Sequence, residues 1–116
     1  MNVVTLRGTL SRAPQARTLP SGDSLVAFEV TIRDHDVPTE SVPVVWFNPP
    51  ARALKLSDGA EVVVRGRVRR RFFRTGAGTG SRTEVVASAV IPATQRAKVR
   101  QALDDASVAL AAQRPS

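Results

Sequence analysis

The chain has 116 residues, of which 42% are hydrophobic and 23% charged, which fits one globular domain with a single core. Cysteine and tyrosine are absent and histidine occurs once, at His35, which excludes disulfides and thiolate sites and argues against an enzyme, a metal site or a cofactor. The formal net charge is +7, and fifteen of the seventeen cationic side chains are arginine. Such an excess predicts a polyanionic partner: nucleic acid, an anionic membrane surface or an acidic protein.

Alternating apolar and polar residues predict three strands in the first half, over residues 2–10, 25–33 and about 42–47. Between the first two, Pro14 and residues 19–22 indicate turns. The Asn48-Pro49-Pro50 sequence ends the third strand, and residues 51–57 are predicted to form a helix of two turns capped by Asn48. Phe28 and Trp46 are expected in the core.

Two longer strands are predicted next, over residues 60 to about 74 and 82–91, joined by a mobile glycine-rich tip at residues 75–81. Three strands, a short helix and two strands are the layout of the OB-fold. The sequence therefore predicts a mainly β fold with a five-stranded OB barrel over residues 1–92.

The remaining residues, 93–116, are predicted to form a C-terminal α-helix from Thr94 to about Ala112. Its apolar stripe is predicted to contain Val99, Leu103, Ala106 and Leu110. No apolar run is long enough to span a membrane and no signal-peptide pattern opens the chain, so we expect a cytoplasmic protein without a membrane partner.

The strand that contains residues 62–73 has two different faces. Its even positions predict a core face formed by Val62, Val64, Gly66 and Val68. Its odd positions place four arginines and one aromatic ring on the other face: Arg65, Arg67, Arg69, Arg71 and Phe73. Like charges on one face repel each other, and a phosphate backbone would neutralise them. Arg74 and Arg82 extend this charge to the hairpin that is expected to close over the ligand.

Single-stranded nucleic acid is bound by basic grooves in which bases stack on aromatic rings. Phe73 lies on the arginine face, and Phe47 lies on the opposite face from Trp46, so both are predicted to stack with bases. No segment of the barrel has the pattern of a recognition helix for duplex DNA. Replacing Arg67, Arg69 and Arg71 with alanine is expected to weaken binding and its salt dependence while sparing thermal stability.

Several segments, in order and spacing, resemble the bacterial single-stranded DNA-binding protein family. They are residues 2–10, 14–17, 21–30, 44–47, 51–54, 58–68 (DGAEVVVRGRV) and 82–87 (RTEVVA). The resemblance implies stacking by Phe47 and Phe73 and a DNA path along Arg7, Arg65, Arg67, Arg69 and Arg71. It also implies a homo-oligomer, either a tetramer or a dimer, that is associated with the nucleoid and acts in replication, recombination or repair.

The chain departs from the family pattern at several positions. Two tryptophan positions fall near Asp36 and at Ser41, and a histidine associated with subunit contact falls at Val42. The family's acidic tail has no counterpart in the closing residues 111–116. We therefore expect a short paralogue whose binding depends more strongly on charge.

Two alternatives remain open at this point. The barrel could bind RNA rather than DNA. It could also be an interaction module that binds DNA weakly or not at all, in which the C-terminal helix mediates assembly. A small-molecule substrate is not expected.

Overall fold

The computed structural model describes residues 2–112, which form six strands, one 3₁₀ helix and one α-helix. These elements are β1 (Val4–Leu10), β2 (Gln15–Thr18), β3 (Ser24–Ile32), β4 (Glu40–Phe47), the 3₁₀ helix (Ala51–Lys55), β5 (Glu61–Thr75), β6 (Gly78–Pro92) and α1 (Arg96–Ala112).

Five of the strands close into a ring in the order β1-β5-β6-β4-β3, and a short β1–β3 pairing at Leu10 and Val30 completes it. The β4–β6 pairing is parallel and the others are antiparallel. The 3₁₀ helix lies between β4 and β5, and α1 follows the last strand. This arrangement confirms the predicted OB-fold.

The barrel interior is filled by alternate residues of every strand of the ring. Val30, Val62, Val64 and Val90 are fully buried. The rings of Phe28 and Trp46 pack together with their centroids 6.5 Å apart, which confirms that both belong to the core. Among the described residues, no helix is long and apolar enough to cross a membrane.

Strand β2 was not predicted from the sequence, which indicates turns in this region. All four of its residues are exposed, and it pairs only with β3. An edge strand without a buried face lacks the apolar alternation that would reveal it.

The glycine-rich segment 75–81 is not a loop, because the β5–β6 ladder continues to the pair Thr75–Gly78. Only residues 76 and 77 lie outside the two strands. Gly80 faces the Phe73 ring, and a Cβ atom at Gly80 would lie 2.6 Å from Phe73 Cε2. The glycine therefore makes room for the aromatic ring.

The sequence predicts that Asn48 caps the helix that follows β4. In the structure it does not. The capping position is Pro50, which makes no side-chain capping bond, and the helix is a short 3₁₀ element. Asn48 instead adopts a positive φ of 46°, and its Oδ1 accepts a hydrogen bond from the Ser24 backbone N–H at 3.1 Å. The side chain ties the end of β4 to the start of β3.

Val68 is exposed rather than part of the core face. The last fully buried residue of β5 is Val64, because the hairpin beyond Gly66 leaves the barrel. The backbone of Val68 is bound by the Asn2 side chain, whose Oδ1 accepts from Val68 N–H at 2.9 Å while its Nδ2 donates to Val68 C=O.

Helix α1 packs on its own barrel, against β1, β5 and β6. Its buried residues are Ala102 and Ala106, whereas Leu103 and Leu110 are 46% and 56% exposed. The part of the predicted stripe that contains the two leucines therefore does not contact the protein's own barrel. Alanines allow the helix backbone to lie close to the strands, so the helix turns its small side chains inward.

Candidate nucleic-acid interface

A continuous outer face crosses the strands on the side of β5 that carries the arginines. Directly paired residues point to the same side of a sheet, and the register places Arg67 opposite Val86, Arg69 opposite Glu84 and Arg71 opposite Arg82. The same face continues through β4 and β3 to β2. It encloses a concave space of about 390 Å³, here called the groove. Its lining includes Arg17, Leu25, Phe47, Arg69, Arg71, Arg82 and Glu84, together with the Arg12–Glu29 ion pair.

A single carboxylate holds two arginines at the centre of the groove. Arg69 donates to Glu84 Oε2 from Nε at 2.9 Å and from Nη2 at 2.7 Å, and Arg71 donates from Nε to Oε1 at 3.3 Å. Glu84 is only 2% exposed and is the one buried charged residue of the described chain. Because one negative charge serves two guanidinium groups, the cluster keeps a formal charge of +1.

The same two arginines lie over the two predicted stacking residues. The Arg69 guanidinium carbon is 5.3 Å from the centre of the Phe47 ring, and that of Arg71 is 5.6 Å from the centre of the Phe73 ring. Both distances lie within the range of cation–π attraction. The structure thus brings Phe47, Phe73, Arg69 and Arg71 together as two adjacent arginine–phenylalanine pairs.

The other predicted residues of this hairpin lie in the groove or beside it. Arg67 is exposed on the same face, one alternate position before Arg69. Arg82 lines the groove opposite Arg71, and Arg74 is paired with Thr79 near the hairpin end. Phe73 is 37% exposed and Phe72, on the opposite face of the strand, is 67% exposed.

Two predicted residues are not brought into the groove. Arg7 is paired with Glu61 at 2.5 Å, and Glu61 lies eight residues before Arg69 along β5, a strand distance of about 26 Å. Arg65 lies against Ser88, with its Nη1 donating to Ser88 Oγ at 3.3 Å, close to α1. Arg65 therefore belongs to the part of the barrel on which the helix packs.

Sequence reasoning missed several residues of the groove, of which Arg17 and Glu84 are charged and central to its chemistry. Arg17 belongs to the unpredicted strand β2, so its place on the groove face, across Leu25 from Phe47, could not be recognised. Glu84 had no role predicted from the sequence. Strand alternation places the Glu84 side chain on the same outer face as Val86. Its position beneath Arg69, however, depends on the register between β5 and β6.

The described residues contain no group of three or more histidine, cysteine, aspartate or glutamate side chains that could hold a metal ion. His35 is exposed in the turn after β3. The interface therefore offers cations, aromatic rings and one buried carboxylate.

Comparison with known proteins identifies the family. The model of the single-strand binding protein family matches residues 1–92 of the 116, a span that contains the whole barrel. No curated protein matches the chain. The match confirms the resemblance found in the sequence, and members of this family are DNA-binding proteins rather than enzymes. The chain therefore belongs to the single-strand binding protein family, and single-stranded DNA is the class of ligand that this membership supports.

Proposed function

We propose that the protein binds single-stranded DNA along the groove, without sequence preference, by charge attraction to the backbone and by stacking of bases on the two arginine–phenylalanine pairs. One observation carries the proposal. A buried carboxylate orients Arg69 and Arg71 over Phe47 and Phe73 on one outer face of the barrel.

The pairs suit a single strand because they offer flat surfaces and cations side by side. An aromatic ring or a guanidinium plane stacks with any base, since every base has a π face, and each stacked base contributes about 1–3 kcal/mol. The outward N–H groups of the same guanidinium are available to a backbone phosphate. Such contacts do not read base edges, which supports sequence-tolerant binding.

We also propose, by extension from the family, that this activity serves DNA replication, recombination or repair, and that the protein acts as a homo-oligomer. RNA offers the same phosphates and stacking faces, so competition with oligo-U is needed to distinguish RNA from DNA as the ligand.

Three phenylalanine variants test the stacking assignment. Phe47→Leu and Phe73→Leu retain apolar bulk and remove the ring, and each is expected to weaken binding of oligo-dT about 5-fold to 150-fold, the equivalent of about 1–3 kcal/mol. Phe72→Leu is the matched control, because Phe72 neighbours Phe73 but lies on the other face. Equal weakening by Phe72→Leu would contradict the assignment, and thermal melting of each variant checks the fold.

The interaction-module alternative is supported by one observation, the exposure of Leu103 and Leu110 on α1. Deleting residues 93–116 would uncover the strands beneath Ala102 and Ala106, so surface substitution is the cleaner test. Under this alternative, the double variant Leu103→Gln, Leu110→Gln assembles less, so the molar mass measured by light scattering decreases. Under the DNA-binding proposal, the same variant retains its affinity for oligo-dT.

A further inference from the structure

A second cationic cavity lies outside the groove, at the junction between the barrel and α1. It measures about 220 Å³ and is here called the seam cavity; its lining includes Arg52, Arg65, Lys98, Gln101, Ala102 and Asp105. Strand β5, the 3₁₀ helix and α1 each contribute one of the three cations. The groove residues described above take no part in it.

The strongest indication of a ligand is the Arg65 side chain. Its Nε is buried and has no hydrogen-bond partner among the described residues. Its Nη1 donates only to the neutral Ser88 hydroxyl at 3.3 Å. A buried charged N–H group without an acceptor is costly. Because solvent does not reach this atom in the structure, an acceptor from outside the chain reaches it only when the Arg65 side chain turns toward the cavity.

The other side chains of the seam cavity leave its positive charge uncompensated. Arg52 is fixed by a hydrogen bond from Nη1 to the Val90 carbonyl at 3.0 Å and lies 5.4 Å from the centre of the Trp46 ring. Asp105 accepts a hydrogen bond from Gln101 at 2.8 Å and forms no ion pair with a cation of the described residues. Three cations and one carboxylate give the cavity a formal charge of +2.

We infer that the seam cavity binds a phosphate group, with the Arg65 guanidinium turned toward it as a donor and Lys98 as its flexible cation. A phosphate presents several acceptor oxygens and carries the negative charge that this cavity lacks. Its two possible sources are the backbone of a bound strand and free inorganic phosphate.

The structure connects the seam cavity to the groove. Arg65 and Arg67 together line an intervening cleft with Asn2, Ser88 and Ala109, and Arg67 lies on the groove face of β5. A strand that leaves the groove past Arg67 therefore reaches Arg65 next. As a contact for DNA, the cavity rests on the proposed function and extends the bound length of strand beyond the groove.

The direct test is NMR observation of the Arg65 Nε–H signal during titration with inorganic phosphate and, separately, with oligo-dT of about 15 nucleotides at constant ionic strength. The inference predicts a saturable shift of this signal that sodium chloride does not produce. A shift with both ligands identifies a site that takes the phosphate of the strand. A shift with inorganic phosphate alone would support the phosphate site but overturn its role in DNA binding. The absence of a shift with either ligand would overturn the inference.

Two variants of α1 provide the binding test. Lys98→Gln removes a seam cation, and Arg100→Gln removes one charge from the same helix at a residue that does not line the seam cavity. Loss of one phosphate contact reduces the slope of log K against log salt by about 0.7. The inference predicts this reduction for Lys98→Gln with the 15-nucleotide strand, and an unchanged slope for Arg100→Gln.

Equal slopes for the two variants, with oligo-dT still bound tightly, would overturn the seam contact and leave the proposed function standing. Failure of the unmodified protein to bind oligo-dT would instead refute the proposed function. The phosphate titration of Arg65 does not depend on that result.

Discussion

Replacing Glu84 with glutamine is predicted to lower the stability of the protein and to strengthen its binding of single-stranded DNA. The carboxylate accepts three hydrogen bonds from Arg69 and Arg71 and is almost completely buried. It also places a negative charge in the centre of the groove. The variant therefore separates the contribution of the residue to folding from its competition with phosphate.

The loss of stability follows from the hydrogen bonds. A bond to a charged group contributes about 1.5–3 kcal/mol, and the Glu84→Gln amide oxygen can still accept from one arginine. The Arg69 and Arg71 side chains are 31% and 46% exposed, so water partly replaces the lost partner. A net loss of about 1–2 kcal/mol is expected, which lowers Tm by roughly 4–8 °C in a domain of this size.

The gain in binding follows from charge. Without the carboxylate, the formal charge of the cluster rises from +1 to +2, and one more phosphate can be neutralised. At about 6 Å, one unit of charge contributes about 1–3 kcal/mol for an effective dielectric constant between that of water and about 20. Ordering two freed side chains costs about 1–3 kcal/mol, and the hydrogen bond that the amide oxygen keeps with one arginine reduces that cost.

Fluorescence anisotropy with labelled oligo-dT, measured over a series of salt concentrations, provides the assay. We expect binding to tighten about threefold at low salt and the slope of log K against log salt to steepen by about 0.7. Glu61→Gln is the matched control, because it removes the same charge from the exposed Arg7–Glu61 pair at the far end of β5. Weaker binding and a flatter slope in Glu84→Gln would refute the reasoning, since Glu84 would then act only by holding the arginines in place.

Three further predictions follow from the structure. The variant with Arg67, Arg69 and Arg71 all replaced by alanine should flatten the salt slope by about 2. It should also melt at a lower temperature, contrary to the expectation from the sequence. Glu84 would be left buried without its arginine partners, at a cost of about 3–5 kcal/mol, and an unchanged Tm would contradict the role of the arginines in compensating its charge. Gly66→Ala should prevent folding or lower the urea midpoint strongly, because its Cβ would collide with the Val86 carbonyl, and a native midpoint would disprove the close approach. Trp46 fluorescence should keep its emission maximum when oligo-dT binds, because the indole is buried in the barrel, and a clear shift would show that binding changes the surroundings of the indole.

Strand alternation explains why much of the fold could be predicted from sequence. Val62 and Val64 face the core, and Phe47 and Trp46 lie on opposite faces, as period-2 patterning requires. The order of strands and the short helix then indicated the barrel. Strand β2 and the exposed Val68 could not be predicted, because an edge strand and a hairpin that leaves the barrel have no buried face to generate the pattern.

The division of the arginine face also required the structure. Alternation alone treats Arg65, Arg67, Arg69 and Arg71 as equivalent. The strand register places Arg69 opposite Glu84 and leaves Arg71 close enough to share the same carboxylate, and the packing of α1 places Arg65 in the seam cavity. Register and helix docking depend on contacts between distant segments, so they could not be derived from one strand.

The most direct test of the central claim is anisotropy of labelled oligo-dT of about 35 nucleotides at two salt concentrations, with duplex DNA and oligo-U as competitors. The account predicts binding that weakens as salt increases and that duplex DNA does not displace, and the oligo-U competition distinguishes DNA from RNA. Absence of binding at low salt, or equal displacement by duplex DNA, would contradict the claim that the groove binds a single strand.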